Sequence, residues 1–121
     1  DLLIGARVKN LVIMNMEPFD RTPLIQAFNI GSFVSGTIRT YNRYLSEAIV
    51  AVQRNNANIS IRIFDIYSLI TNILTSASTY GLSNTVDACW SLLNPQNPVF
   101  CQSPQSYAFI DDVHYTARMH E

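Results

Sequence analysis

Charge is scarce in this chain, and neither sign dominates. Only 14% of its 121 residues are charged, and eight basic against nine acidic side chains leave a formal net charge of -1. There is no Lys/Arg-rich run and no basic stripe, which argues against a nucleic-acid partner. Long hydrophobic runs are missing as well. The longest uninterrupted apolar stretch is far below the roughly 20 residues a transmembrane helix needs. The opening Asp1-Leu2-Leu3-Ile4-Gly5 has neither the basic n-region nor the cleavage pattern of a signal peptide. No G-x-G-x-x-G or Walker-type loop follows either candidate strand, so a nucleotide-binding half is a poor reading. Only two cysteines occur, with no His cluster beside them, so a zinc site is not suggested. No internal repeat and no low-complexity tract is found.

What is present is a globular pattern. At 48% hydrophobic the chain is not disordered, and its length suits one domain or a large piece of one. Cys89 and Cys101 bracket a segment rich in Asn and Pro. The favoured reading is a local disulfide, with two unrelated thiols as the alternative. Such a loop closure stabilises by about 2–3 kcal/mol in the chain-entropy model. It would also imply an oxidising compartment.

Taken in order, the first residues read as a helix tail with Gly5 as its cap. Leu11 to Met14 form a short apolar run, expected to be a parallel strand buried on both faces. Asn15 falls where that strand leaves its sheet, and Pro18 and Pro23 mark a loop. Thr22-Pro23 can open a short helical stretch through Phe28. Gly31-Ser32 is expected to break it, with Ser32 or Ser35 capping a long helix to about Asn55. That helix carries an apolar stripe of Val34, Ile38, Tyr41, Leu45, Ala48, Ile49 and Val52, close to a 3.6-residue period. Ile59 to Ile66 is β-branched and reads as the second strand. Ile66 to Leu74 then reads as a short helix, so the segment forms a βαβ unit. Residues 76–106 are loop-rich, which is long for a structureless connection. Trp90 and Phe100 lie there, either as a small cluster on the core or as a rim against an apolar substrate. Residues 116–121 resemble the first turns of a helix.

The chemistry concentrates at Asp111-Asp112-Val113-His114. A carboxylate three positions before an imidazole can fold back in a loop and accept the Nδ1 proton. That fixes the tautomer and leaves Nε2 as a base. A solvated loop histidine is the plain alternative. His120 reads as a surface histidine; Asp65, at a strand end, could line the site, but the favoured reading is that it caps or hydrogen-bonds locally.

Several features stand in a telling order: Gly5-Ala6-Arg7, the apolar strand, Asn15-Met16-Glu17-Pro18-Phe19 with Thr22-Pro23, Tyr41-Asn42-x-x-Leu45, Phe64-Asp65-Ile66-Tyr67, and Asp111-x-x-His114. Over essentially its whole length the chain resembles the C-terminal part of a GDSL (SGNH) lipase/esterase. It is most similar to the bacterial secreted branch of lysophospholipases and thermolabile haemolysins. The resemblance implies an α/β fold, a three-layer α/β/α sandwich with a mostly parallel five-stranded sheet, of which residues 1–121 would be the C-terminal portion. It assigns the catalytic Asp and His to Asp111 and His114; Asp112 does not fit the spacing. It also implies a nucleophilic Ser and oxyanion donors, including a Gly and an Asn. This chain departs there. It has no Gly-Asp-Ser and no Gly-x-Asn-Asp, and Ser32, Ser35 and Ser46 lie in the wrong context. Position 115 is Tyr where many relatives have Pro.

The expectation is therefore a secreted or periplasmic ester hydrolase whose N-terminal portion supplies the serine, with this chain inactive alone. The favoured substrate is a lipid ester, a lysophospholipid or other phospholipid, and no metal or organic cofactor is needed. The alternative is a non-catalytic α/β binding module that kept the scaffold without the serine.

Overall fold

A computed structural model describes residues 7–93 and 95–121; the helix tail expected around Gly5 lies outside them. The described residues build a mixed helix-and-strand, roughly α/β, structure with small parallel sheets. Strand β1 (Asn10–Met14) pairs in parallel with β2 (Ser60–Phe64), placing Leu11 beside Ile61 and Ile13 beside Ile63. The connection between them contains the short helix α1 (Pro23–Ala27) and the long helix α2 (Gly31–Asn55). The expected βαβ unit is therefore present.

Residue by residue, its details differ from the sequence reading. Strand β1 is not buried on both faces: Leu11 and Ile13 are half-buried, but Val12 is 70% and Met14 64% exposed. Helix α2 packs near β2, and among the described residues the Val12/Met14 face stays exposed. The break between α1 and α2 falls at Phe28–Ile30, not at Gly31-Ser32. Asn29 takes a φ of 55°, a left-handed conformation that Asn tolerates better than most residues. Gly31 and Ser32 already belong to α2, whose N-cap is Ile30, so neither Ser32 nor Ser35 caps it.

The inward line along α2 is Val34, Ile38, Asn42, Leu45, Ile49 and Val52, with Ile38 and Ile49 buried and the rest half-buried, while Tyr41 and Ala48 are exposed. Burying Ile38 or Ile49 stabilises by about 1.5–3 kcal/mol each. Asn42 takes the place assigned to Tyr41 because its amide has work there. Its Oδ1 accepts from the Met16 N–H at 2.7 Å, and its Nδ2 donates to the Met16 carbonyl at 3.0 Å. That pair pins the loop leaving β1 to the middle of α2.

Helix α3 (Ile66–Thr75) follows β2 directly, which ends that strand earlier than expected. Asp65 is its N-cap, accepting from the Ser68 N–H at 3.0 Å and the Ser68 hydroxyl at 2.7 Å. Asn15 Nδ2 also donates to Asp65 at 2.7 Å, and Asn15 Oδ1 accepts from the Tyr67 N–H. The carboxyl ends of β1 and β2 are tied through that network.

Among its described residues the loop-rich region also holds short strands. Strand β3 (Asn84–Ala88) pairs in parallel with β6 (Tyr107–Phe109), and β4 (Trp90–Ser91) pairs antiparallel with β5 (Val99–Phe100). The β3–β6 register is interrupted between Asn84 and Ala88. There the Asn84 side chain accepts from the Val86 and Asp87 N–H groups, a local bond that replaces the ladder. Among the described residues there are thus three two-stranded sheets and no five-stranded one. The final segment is a 3-10 turn (Ala117–His120) instead of the start of an α-helix.

Candidate functional site

The site is built on β6. Ala108 and Phe109 are fully buried, and with Leu82 they form the core against which Ile73, Leu74, Tyr80, Tyr115 and Met119 pack. The chain then reverses. Phe109 bridges antiparallel to Tyr115, and their rings stack with centroids 5.2 Å apart. Thr116 closes the reversal, its N–H donating to Ala108 and its hydroxyl to the Tyr107 carbonyl at 2.7 Å. Across the mouth of the loop the Ile110 N–H donates to the His114 carbonyl at 2.9 Å. Residues 110–114 are therefore a short loop standing on buried side chains.

Asp111 organises that loop. Its Oδ1 accepts from the Val113 N–H at 2.8 Å and the His114 N–H at 2.6 Å. These are the local bonds by which an Asp side chain mimics a turn. The same carboxylate lies against His114 Nδ1, at 3.0 Å from Oδ1 and 2.8 Å from Oδ2. Partial burial pushes the carboxyl up, but the His114 and Val113 N–H groups, then the His114 ring, outweigh it and hold it below the ordinary carboxylate range. An ionised Asp111 bound at Nδ1 leaves Nε2 as the ring's free basic position. The His114 side chain is 75% exposed, so that nitrogen can meet another group.

Two further elements fix the loop. The Leu24 N–H, one of the first-turn donors of α1 that a helix cannot satisfy itself, donates to the Asp112 carbonyl at 2.9 Å. On the other side stands the β4–β5 hairpin, closed by the Cys89–Cys101 disulfide. Its backbone joins β6 through Cys89 N–H to Phe109 and Trp90 N–H to Ile110. The Asp112 carboxylate accepts from the Leu92 N–H at 3.2 Å.

Trp90 and Phe100 stack across the hairpin at 6.5 Å, and both are exposed instead of joining the Leu82/Phe109 core. Trp90 and Leu92, with residues 111–114, line an open cavity of about 250 Å³ beside His114. A larger cavity of about 680 Å³, lined by Gly81, Tyr115 and Arg118 among others, is not lined by the dyad. Sequence reading left Trp90 undecided and missed Leu92 altogether. Their place is set by the parallel β3–β6 pairing, whose strands are too short and broken to stand out in the sequence.

Tyr115 serves the core. Burial, then the charges of Glu17 and Asp20, push its phenol far above its ordinary range. His120 is exposed, as expected of a surface histidine; its charge acts on Glu17, whose carboxyl burial pushes up. Ser32, Ser35 and Ser46 lie along α2. Among the described residues no group of three His, Cys, Asp or Glu side chains could hold a metal ion. None of the described helices is long and apolar enough to cross a membrane.

No protein-family model matches the chain. It is similar to a GDSL esterase/lipase of Arabidopsis thaliana, 22% identical over 98% of this chain. The chain spans only 35% of that relative's length. That relative carries the name of the family that the sequence motifs resemble.

Proposed function

We propose that residues 1–121 are the C-terminal portion of a GDSL-type serine ester hydrolase and contribute the Asp–His part of a Ser-His-Asp triad. The observation that carries this reading is the Asp111 carboxylate held against His114 Nδ1 at 2.8 and 3.0 Å, on a ring that is largely exposed. His114 takes the proton from a serine hydroxyl at Nε2 and returns it to the leaving alcohol, while Asp111 orients the ring and stabilises its charge. The serine and the oxyanion-hole Gly and Asn come from the N-terminal portion of the same enzyme, since this sequence has neither Gly-Asp-Ser nor Gly-x-Asn-Asp. This chain alone is inactive.

In the whole protein β1 and β2 join a larger, mostly parallel sheet within a three-layer α/β/α sandwich. Parallel sheets are covered on both faces, and the exposed Val12 and Met14 are what such a cover would bury. The substrate is a lipid ester, with lysophospholipids and other phospholipids as the leading class. The setting is secreted or periplasmic, as in the bacterial lysophospholipase and haemolysin branch. The disulfide supports an oxidising compartment.

The test is a fluorophosphonate probe with intact-mass detection on the complete protein. A single covalent adduct on a serine, lost in His114→Gln, is the expected result. Labelling at an undiminished rate in that variant would refute the reading.

A further inference from the structure

We infer that the cavity walled by Trp90 and Leu92 is the subsite for the leaving alcohol of the ester, and that it selects alcohols with an apolar substituent. The inference rests on the ester-hydrolase reading and narrows it. Two large apolar side chains, Trp90 at 48% and Leu92 at 51% exposure, stand beside a hydrogen-bonded Asp–His pair. Both are held in place: the Trp90 N–H donates to Ile110 and the Leu92 N–H to the Asp112 carboxylate. Asp112 is thus a positioning residue, fastening the hairpin to the loop that carries His114.

Chemistry decides which part of the ester faces this wall. When the tetrahedral intermediate collapses, the bond from the carbonyl carbon to the alkoxy oxygen breaks. That oxygen keeps the electron pair and takes the proton from His114 Nε2. The leaving oxygen is therefore the substrate atom next to the ring, and its substituent extends over the surface continuous with His114. The acyl chain leaves the carbonyl carbon in another direction. A cavity of about 250 Å³ lies below the roughly 300–1,000 Å³ of sites for drug-sized ligands, so it fits a short alkyl segment. Within the phospholipid class proposed above, this favours diacyl phospholipids, whose leaving alcohol still carries an acyl chain, over lysophospholipids, which release a purely polar glycerophosphodiester.

The experiment compares two ester series on the complete protein and on its Trp90→Ala, Leu92→Ala and Trp90→Phe variants. One series holds the acyl group at acetyl and lengthens the alcohol from methyl to hexyl. The other holds the alcohol at methyl and lengthens the acyl group. Wild type is expected to prefer hexyl over methyl acetate in kcat/KM, and Trp90→Ala or Leu92→Ala to reduce that preference about ten-fold. Trp90→Phe restores most of it, and the acyl series is unchanged throughout. Acetate esters share one acyl-enzyme, so its hydrolysis is the same for every alcohol and provides an internal control. A change in the acyl series alone, or in neither series, overturns the subsite while leaving the hydrolase reading intact. Full activity in His114→Gln, or no hydrolysis of any ester by wild type, overturns the hydrolase reading and the subsite with it.

Discussion

Replacing Asp111 by Asn separates the two tasks that its carboxylate performs. Asn keeps Oδ1, so the two turn-forming bonds from the Val113 and His114 N–H groups, 2.8 and 2.6 Å in the native loop, survive. What changes is the second oxygen, 2.8 Å from Nδ1, which becomes an NH2 donor. The ring nitrogen then faces a donor at 2.8 Å, while the Oδ1 at 3.0 Å already accepts two backbone N–H groups, so the tautomer with its proton on Nε2 is favoured and the base needed for a serine proton is lost. By analogy with triads in which the orienting Asp was changed to Asn, kcat is expected to fall about 10⁴-fold. Stability should change little, because the backbone bonds remain. Asp111→Ala removes both, so it is expected to lose activity and also to cost about 1–2 kcal/mol as the loop's N–H groups lose their acceptor. Nitrogen-15 spectra of the His114 ring report the tautomer, urea unfolding reports stability, and ester hydrolysis by the complete protein reports kcat. An Asn variant that retains the Nδ1-protonated tautomer and wild-type kcat would refute the assignment.

Other consequences follow from the packing and the charges. Phe109→Ala, at a fully buried core position, should cost about 3–5 kcal/mol in urea unfolding. Because β6 carries the dyad loop, it should also abolish activity at temperatures where the protein remains folded. Replacing Cys89 and Cys101 by Ser opens a loop of sequence separation 12 and should lower stability by about 3 kcal/mol, measured against wild type under identical conditions. Asp65→Ala removes the N-cap of α3 and should cost about 1 kcal/mol, an effect visible as a lower denaturation midpoint.

The acid limb of the stability curve gives another check. Asp65 is held below its ordinary value by the Ser68 hydroxyl, then by the Asn15 side chain and the Ser68 N–H; Asp111 is lowered as described above. A depressed carboxylate contributes stability that is complete above its unfolded value, 3.8 here, and is lost as pH falls through its folded value. Asp65→Asn and Asp111→Asn should therefore flatten the decline below about pH 4. Unchanged acid limbs in both variants would contradict these environments.

Local pattern by itself determined a good deal. The 3.6-residue spacing on α2, the β-branched run of β2 and the prolines around α1 set the order strand, helix, strand. Asp65 was readable as a cap, because a short carboxylate after a strand and before a helical run has N–H groups within reach. The approach of Asp111 to His114 was also legible: three residues of loop suffice, and no distant part of the chain is needed to bring the side chains together.

What only the tertiary structure decided depends on long-range partners. Asn42 displaced Tyr41 from the inward line because Met16, far away in sequence, offers both a donor and an acceptor to an amide. The exposure of Val12 and Met14 follows from what covers the sheet, which an apolar run cannot report. The pairing of β3 with β6 rests on strands too short and irregular to carry a period. Yet that pairing brings the disulfide hairpin, with Trp90 and Leu92, to the edge of the dyad. The Asp111–His114 pair is encoded within four consecutive residues, whereas the surface beside it exists only because two segments some twenty residues apart fold side by side.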